Sequence, residues 1–527
     1  MARDRTGSRR QLASPGPRSR SQAVPLAQSA LAHLGAISYD RVSSHPGEAM
    51  RTIVSLALLA GLLPAQNTAE KADPLIGRMK HEGLQNSRVM DYLDHLTNTI
   101  GHRLTGSDNF ERACHWAKAE FEKMGLTAQL HKWKEWKVRF NRGQWSGRML
   151  EPSNLELQVA TEAWTAGTRG QVTGKAIKPP TDILDLEETW SGKVEGAWLL
   201  ARKSGRRGGP FWGHLKRFAR DEGAAGIIYP STGDAKFPNR IRVFGNRRMA
   251  LAANATIPTM PEICVRKDQF AAVEKLIAAG KKVVLRFDIR NRFRREKVPL
   301  YNVIADIRGT QKPDEYVMVG GHLDSWHQAT GTTDNGTGTT STMEAARILS
   351  AVGVKPLRTI RFCLWGGEEQ GLLGSRAYVL KHRQNMKNVS AYFNHDTGTN
   401  WAYSIRVPTF MHADFERIVD PILSIPAPDK KHEGPVFKLG KSRAISRRGG
   451  GSDHASFLSA GVPAWSWTLR GRSNYFQHTW HSQWDTFDVA IPEYQRHTST
   501  VIAIVAYGVA NLPHLLPRKA PAEKDGR

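Results

Sequence analysis

Hydrophobic positions between residues 73 and 126 recur at the spacing of an α-helix. In the segment SRVMDYLDHLTNTIG, apolar side chains return every three or four residues until Gly101. A second helical pattern follows the capping residues at 105–108 and runs through ERACHWAKAEFEKMG to Gly125. The partly alternating stretch TAQLHKWKEWKVRF then predicts a strand.

Residues 151–295 have a different pattern, in which short apolar runs alternate with turns rich in Gly and Pro. The runs GAWLLA, AGIIYP and KVVLRF predict strands, and only HLKRFARDEGA and KDQFAAVEKLIAAG have a helical pattern. No cluster of His and carboxylate side chains occurs in this region. The pattern predicts a small β-rich domain that supplies no metal ligand and no proton carrier, and that walls a cleft or restricts substrate size.

From Tyr301 onward, strand and helix patterns alternate. Strands are predicted at YNVIADI, YVMVGG, TIRFCLW, SAYFNHD and PAWSWTL, and a long apolar helix at PEYQRHTSTVIAIVAYGVANL. This alternation predicts an α/β fold in which a mostly parallel sheet is covered by helices on both faces. The unit is predicted to span residues 296–517, and residues 518–527 form a polar tail.

The first 65 residues differ from the rest. Residues 1–49 are rich in Arg, Ser, Pro and Ala and are predicted to be a disordered or non-native extension. Met50 then precedes one Arg, an apolar run over 53–63 and a Pro-Ala pair, which is the order of a secretory signal peptide. Neither this run nor any other stretch reaches the roughly 20 apolar residues of a membrane span. We expect translation from Met50, a signal peptide over 50–65 and a secreted or periplasmic protein; a short buried helix is the alternative.

Net charge and cysteine content bear on two classes of function, nucleic-acid binding and metal binding by thiolates. Lys and Arg number 75 against 49 Asp and Glu, which gives a formal net charge of +26. Because the basic residues are scattered, a solvated basic surface is favoured and no nucleic-acid binding is predicted. A polyanion-binding module would instead show a steep salt dependence of binding. The three Cys show no CxxC spacing, which excludes a thiolate cluster, so any metal must bind His, Asp or Glu.

Residues able to act as acids, bases or metal ligands follow the predicted strands. In an open α/β sheet, the carboxyl ends of parallel strands meet at one edge. Adjacent carboxylates at the end of a buried strand are costly unless a cation neutralises them. The set could therefore hold two divalent ions, and zinc suits a mixture of imidazole and carboxylate ligands. Its members are His322, Asp324, Asp334, Glu368, Glu369, Asp396 and His481.

Five segments, HLDSW, TTDNGTG, GEEQGLLGS, NHDTG and HSQWDT, resemble the di-zinc exopeptidase family, which includes bacterial leucyl aminopeptidases, glutamate carboxypeptidase II and carboxypeptidase Q. GHLDSW, LWGGEEQG and the ending AYGVANLPHLLP are most similar to the carboxypeptidase Q type. The resemblance implies that residues 66–150 and 296–517 are two parts of one peptidase domain. Residues 151–295 would then be an inserted protease-associated domain.

The resemblance also implies a role for each ligand. His322 and Asp396 would bind one zinc ion, Glu369 and His481 would bind the other, and Asp334 would bridge the two. Zinc pairs of this type lie about 3.5–4 Å apart.

The remaining site residues are assigned in the same way. Glu368 would be the general base, which takes a proton from the attacking water and returns it to the leaving amine. Asp324 would hydrogen-bond to His322 and fix its ring. His478 is an alternative ligand, although the HSxxDT motif favours His481. The resemblance also places one segment near the substrate pocket, namely Ser452, Asp453 and His454.

The expected function is a secreted exopeptidase, an aminopeptidase or a dipeptidase, that uses two zinc ions to hydrolyse peptides or dipeptides. A glutamate-type carboxypeptidase is the first alternative, for which Arg447 or Arg448 could recognise a substrate carboxylate. A non-catalytic binding protein is disfavoured because Glu368 and all five ligands are present. The choice of substrate end, the oxyanion-stabilising residue and a homodimeric state stay open. Tyr475 and Trp480 are neighbours of the site in the sequence, and a packing role is at least as good an interpretation for them.

Overall fold

The computed structural model of the chain describes residues 73–203, 208–245, 257–446 and 449–519. The predicted extension (1–49) and the predicted signal peptide (50–65) lie outside the described residues, as do Arg447, Arg448 and most of the predicted tail.

The elements of the described residues are numbered in chain order. The strands are β1 (Thr127–Glu151), β2 (Leu155–Leu157), β3 (Val159–Thr161), β4 (Val172–Ile177), β5 (Trp198–Leu200), β6 (Gly226–Pro230), β7 (Glu262–Val265), β8 (Val284–Ile307), β9 (Lys312–His322), β10 (Arg358–Trp365), β11 (Val389–Asn394), β12 (Trp401–Pro408), β13 (Lys438–Ser442), β14 (Ala464–Ser466) and β15 (Thr468–Arg470). The helices are α1 (Pro74–Gln85), α2 (Val89–Asp94), α3 (Asp108–Lys123), α4 (Ile183–Trp190), α5 (Gly209–Asp221), α6 (Lys267–Ala278), α7 (Thr337–Ala351), α8 (Leu373–Lys381), α9 (His412–Val419), α10 (His454–Ser459) and α11 (Pro492–Ala510).

The sheet that carries the candidate ligands has the strand order β14-β11-β9-β10-β8. The first four strands are parallel, whereas β8 runs antiparallel to β10. Successive residues of β10 point to opposite faces, so Phe362 and Leu364 join one hydrophobic cluster while Cys363 and Trp365 join another. Side chains of α3, α7 and α11 complete the first cluster, and side chains of α8 and α10 complete the second. The predicted α/β fold with helices on both faces is confirmed.

The opening helices form where the sequence predicts them. In α3, the side chain of Ser107 accepts a hydrogen bond from the backbone N–H of Phe110, which caps the helix. Acidic residues in the first turn favour the same end. Buried Phe110, Ala117 and Phe121 lie on one face, and Gly125 follows with a φ of 83°, a conformation that ends the helix. No helix among the described residues is long and apolar enough to cross a membrane.

Residues 152–283 lie between β1 and β8, which pair antiparallel almost along their whole length. Within this region β4, β5, β6 and β7 are parallel, and two further hydrophobic clusters form around them. The region contains α4 in addition to the two helices expected from the sequence; Asp182 caps it by accepting two backbone N–H groups. The boundary expected at residue 295 falls inside β8, because the basic run there continues the strand rather than ending it.

Candidate metal centre

One edge of the sheet collects the candidate ligands. Because β9, β10 and β11 are parallel, their carboxyl ends meet at this edge. His322 ends β9, Glu368 and Glu369 follow β10, and Asp396 follows β11. Asp334 lies in the turn before α7, where its peptide bond to the next residue is cis.

A first group forms around His322. Its Nε2 atom lies 3.3 Å from Oδ1 of Asp334 and 3.3 Å from Oδ1 of Asp396. All three side chains are buried or nearly so. One imidazole nitrogen and two carboxylate oxygens therefore converge on a point at the end of β9.

A second group forms around His481. Its Nε2 atom lies 3.1 Å from Oδ2 of Asp334 and 3.1 Å from Oε2 of Glu369. His481 has a φ of 56°, in the left-handed region that residues other than Gly rarely adopt. Backbone strain of this kind persists where the surroundings hold the residue in place.

The two groups share Asp334, which offers one oxygen to each. Within each group the ligand atoms lie within 4.8 Å of one another. Oε1 of Glu369 is buried without a hydrogen-bond partner among the described residues, and a bound cation would satisfy this oxygen. Imidazole nitrogen and carboxylate oxygen are ligands that zinc accepts. The donors therefore fit two adjacent metal ions joined by one carboxylate.

The electrostatics of the metal-free groups show a surplus of negative charge. Burial lowers the pKa of His322, but Asp396 and the other carboxylates outweigh it and hold the pKa well above its usual value. Burial also opposes protonation of His481, yet Glu369 and Asp334 raise its pKa to about 9. Burial, with Asp334, raises the pKa of Glu369 to about 7. Divalent cations would neutralise this surplus.

The carboxylate of Asp324 holds the loop that carries the two glutamates. It accepts hydrogen bonds from the backbone N–H groups of Glu368 (3.1 Å) and Glu369 (3.3 Å), and from the hydroxyl of Thr105 (2.9 Å). Nδ1 of His322 lies 2.9 Å from the backbone carbonyl of Asp324 and 3.7 Å from its carboxylate. Asp324 is thus the hydrogen-bond partner of His322, as the family resemblance implies, and its nearest acceptor atom is the backbone carbonyl.

Glu368 lies beside both groups but belongs to neither. Burial raises its pKa well above the usual value, and the charges of Asp396 and Glu369 add to this effect. A carboxylate with a raised pKa accepts a proton more readily than an ordinary one. Glu368 is thus placed to carry a proton next to the metal ligands.

The other residues singled out from the sequence lie around this centre. His478, the alternative ligand, belongs to neither group, and its ring stacks on Trp484 at 4.9 Å. Ser452 and His454 line a cleft next to Asp396. Asp453 is buried, and burial raises its pKa to about 7.

The role of one residue, Asp485, was missed in the sequence, and the role of another, Tyr475, was left undecided. The carboxylate of Asp485 accepts hydrogen bonds from the backbone N–H groups of Thr333 (2.6 Å) and Asp334 (3.1 Å), and so fixes the turn that carries the shared ligand. The HSQWDT motif contains Asp485 and could have indicated it. Tyr475 is buried at the cleft, and burial together with Asp334 and Asp396 holds the pKa of its phenol well above the usual value. Nothing in the local sequence distinguishes this tyrosine from one that only packs.

Residues 234–245, which we call the 234–245 segment, contact the loop of His481. The guanidinium groups of Arg240 and Arg242 donate to backbone carbonyls of that loop, and the side chain of Gln483 accepts from the backbone of the segment. The ring of Phe244 lies edge-on to His481, with 5.0 Å between centroids. The region between β1 and β8 contributes no member of either metal group among its described residues, but it supports a ligand of the second group.

A cleft of about 790 Å³ opens beside Asp396. Its described lining combines aromatic with uncharged polar side chains, and it contains no Lys or Arg. The lining includes Thr397, Asn400, Trp467, Tyr475, Phe476 and Trp480. This cleft can receive a side chain next to the metal groups.

Comparison with known proteins agrees with this geometry. Residues 302–505 match the model of a family described as peptidase family M28. Carboxypeptidase Q of Mus musculus is 26% identical over 458 residues, covering 83% of this chain and 88% of that protein. The structure of a peptidase M28 precursor from Shewanella amazonensis is similar, with a TM-score of 0.58, 24% identity, and coverage of 85% of this chain and 99% of that chain.

A zinc aminopeptidase from Bacillus subtilis shares the fold, with a TM-score of 0.52, 17% identity, and coverage of 82% of this chain and 96% of that chain. The sequence motifs, the family match and the shared fold lead to one assignment. The chain resembles the di-zinc exopeptidases of peptidase family M28, and these matches support a metal-dependent hydrolase of peptide bonds.

Proposed function

We propose that this protein is a two-zinc exopeptidase that acts as an aminopeptidase or a dipeptidase. The observation that supports it most directly is the pair of ligand groups that share Asp334, with Glu368 beside them. His322 and Asp396 would hold one ion, and Glu369 and His481 the other. When bound, two zinc ions polarise a scissile carbonyl and make a water more acidic.

Glu368 would carry the proton from the attacking water to the leaving amine. Glu368 takes a proton from the attacking water on its carboxylate and later delivers it to the nitrogen of the leaving amine. Because the backbone of Glu368 is held by the Asp324 carboxylate, the base keeps a fixed position relative to Glu369. Asp324 therefore positions the base.

Tyr475 is the best candidate to stabilise the developing negative charge on the carbonyl oxygen. Its phenol lies close to Asp334 and Asp396, and its raised pKa keeps the hydroxyl protonated at neutral pH. A protonated hydroxyl in a dry site can donate a hydrogen bond to an oxyanion. We assign this role to Tyr475, which lines the cleft together with Asp396.

The cleft favours recognition of an uncharged side chain. Its mixture of aromatic and uncharged polar side chains suits neutral groups, and its described lining contains no Lys or Arg for a substrate carboxylate. A glutamate-type carboxypeptidase would need such a cation, for which Arg447 and Arg448 are the sequence candidates. The region predicted as a protease-associated domain (151–295) would support the second metal group and limit the size of the substrate.

The export of the protein is a proposal that comes from the sequence. If Met50 is the start, a gene lacking the codons for residues 1–49 should yield exported, active protein. Loss of export on that truncation would contradict a signal peptide at 50–65.

The activity is tested on protein purified from the shortened gene. We expect two zinc ions per chain, hydrolysis that chelation abolishes, and recovery with zinc. Cleavage of aminoacyl anilides would indicate an aminopeptidase, and cleavage of dipeptides alone a dipeptidase. Cleavage only of peptides that end in glutamate, lost in Arg447→Gln or Arg448→Gln, would contradict the proposed specificity. No cleavage by protein that holds two zinc ions would contradict the proposal.

A further inference from the structure

A second cavity, of about 710 Å³, lies between the paired strands β1 and β8 and the loop that precedes α3. None of its lining residues belongs to a metal group or to the cleft beside Asp396. The described lining holds four guanidinium groups and a single carboxylate. Its charged and titratable members are His102, Asp108, Arg142, Arg290, Arg292 and Arg294.

The one carboxylate in the described lining, that of Asp108, already has ion-pair and hydrogen-bond partners. Oδ1 of Asp108 accepts from Arg294 at 2.7 Å and contacts Arg139 at 3.1 Å. Its Oδ2 accepts from the amide of Asn141 at 2.7 Å. Arg290 pairs with Asp288, outside the lining. These contacts neutralise two of the four guanidinium groups, and no ion pair joins Asp108 to either of the other two in the described structure.

Arg142 and Arg292 have no carboxylate partner among the described residues. Arg142 is the unusual one, because its Nε is buried and has no hydrogen-bond partner among those residues. Its guanidinium lies 4.1 Å from the ring centre of Trp145, and burial lowers its pKa to about 10. Withdrawing a charged group from water without a partner costs free energy, which an anion at the same place would offset.

A bulge in the backbone of β1 sets the direction of the Arg142 side chain. The pairing of β1 with β8 is interrupted by a bulge between Arg142 and Trp145, and bulges re-aim side chains. Within the bulge, a Cβ on Gly143 would lie 2.5 Å from the carbonyl oxygen of Arg290, so only Gly fits. Opposite, burial with Arg142 and Arg103 lowers the pKa of His102 to about 3. His102 is therefore neutral, and its buried Nδ1 has no partner among the described residues.

We propose that this cavity is a binding site for a small oxyanion, held by the guanidinium groups of Arg142 and Arg292. The planar fork of Arg matches the oxygens of a carboxylate or a phosphate. The site is separate from the metal groups, and the inference does not rest on the proposed peptidase specificity.

The test is calorimetric titration of the zinc-loaded protein with inorganic phosphate in a buffer low in other anions. Wild-type protein should bind saturably, and Arg142→Gln should weaken binding roughly tenfold or more, the value of a charge-assisted hydrogen bond. Arg292→Gln should weaken it by less, about threefold, because Arg292 is exposed. Arg295→Gln is the matched control, since Arg295 is an exposed residue of the same strand outside the lining.

Phosphate bound at the metal groups would not respond to Arg142→Gln, so unchanged affinity in that variant overturns the proposal. Equal weakening in Arg295→Gln, or no saturable binding by wild-type protein, overturns it as well. Arg142→Gln should melt, without phosphate, at a temperature equal to or above that of wild type, because it removes an unpaired charge. A variant that fails to fold contradicts that expectation, and Arg142→Lys, which keeps the charge, then serves as the second variant and should retain measurable binding.

Competition identifies the kind of oxyanion. If acetate displaces phosphate and its neutral analogue acetamide does not, the site accepts carboxylates, including a peptide terminus. If neither displaces phosphate, the site takes a tetrahedral anion. Displacement by acetamide as effective as that by acetate would show that charge is not recognised, and would overturn the proposal.

Discussion

The two metal groups share Asp334 but are held in different ways. His322 and Asp396 follow adjacent strands of the central sheet, and the backbone next to them is pinned to that sheet, with His395 N–H donating to the Gly320 carbonyl at 2.8 Å. His481 instead comes from a late loop and has a left-handed backbone. The 234–245 segment, which lies outside the ligand-bearing sheet, contacts that loop.

Because of this difference, we expect mutations to disturb the ligand positions of the two groups to different extents. A ligand fixed by the ladder of a buried sheet keeps its position unless the fold is lost. A ligand on a loop depends on side-chain contacts, which can be removed one at a time. We therefore expect the first group to be the more robust and the second the more adjustable.

The largest effect is expected at Glu368, which belongs to neither group. Glu368→Gln keeps the shape of the side chain but removes its basicity, so kcat should fall by roughly 100- to 10,000-fold. Both zinc ions should stay bound, and KM should change little. Kinetics and zinc content per chain, measured on the same preparation, check this. Loss of a zinc ion from Glu368→Gln would mean that Glu368, rather than Glu369, is the ligand.

Ligand variants should separate the two groups. Asp396→Asn should weaken the first group and Glu369→Gln the second, each by at least the ~100-fold that loss of an outer partner can cost. Added zinc should partly restore the activity of both variants. Titration of metal-free protein with zinc should show one weakened and one intact site in each. Loss of both ions from Glu369→Gln but only one from Asp396→Asn would show that the groups are coupled asymmetrically.

Three candidate ligands, His322, Glu369 and Asp396, could be located from the sequence because strand ends are easy to recognise, whereas Asp334 and His481 lie in loops and rest on the family resemblance. The apolar run TIRFCLW followed by two Gly and two Glu indicates a buried strand that ends in charge, and the sheet then brings Glu369 near His322. A parallel order of strands then predicts that these segments, distant in the sequence, meet at one edge of the sheet.

Contacts across the fold could not be predicted in this way. Asp485, Tyr475 and the 234–245 segment reach the site through loops whose paths depend on tertiary packing. The helix α4 and the unbroken strand β8 were missed for a local reason: a short helix and a polar stretch within a strand have weak periodicity. Asp324 was predicted as the partner of His322, but the sequence could not tell whether its carbonyl or its carboxylate would be the acceptor.

The second group should give the metal-free protein an unusual pH dependence. The pKa of His481 is raised from 6.5 to about 9 and that of Glu369 from 4.5 to about 7. Both lie above their unfolded values, so each group stabilises the metal-free fold fully only below its unfolded value. That stabilisation is lost as the pH rises through about 7 for Glu369 and about 9 for His481.

Zinc reverses this trend because it must displace the proton from His481. Its affinity should rise about tenfold per pH unit until that pKa is passed. Thermal unfolding of chelator-treated and zinc-loaded protein between pH 5 and 9 checks both trends. His481→Gln should flatten the metal-free curve above pH 7. A metal-free protein that becomes steadily more stable from pH 7 to 9 would contradict the assignment.

The smallest effect is expected at Phe244, whose ring lies edge-on to the ring of His481. Phe244→Ala removes that ring and leaves every ligand in place, so zinc affinity at the second group should fall about tenfold, at the low end of what outer partners contribute. The first group should be less affected, because His322 and Asp396 follow strands of the central sheet. The matched control is Phe211→Ala, the same change on α5 in a cluster that contains Ile241 and Val243 of the segment but no residue of the His481 loop. Zinc titration of the metal-free variants measures both sites. If Phe244→Ala and Phe211→Ala weaken zinc binding at the second site equally, the effect is general destabilisation. If Phe244→Ala binds zinc like wild type, the loop's own contacts hold the left-handed backbone of His481. The two metal groups would then differ less in robustness than their geometry indicates.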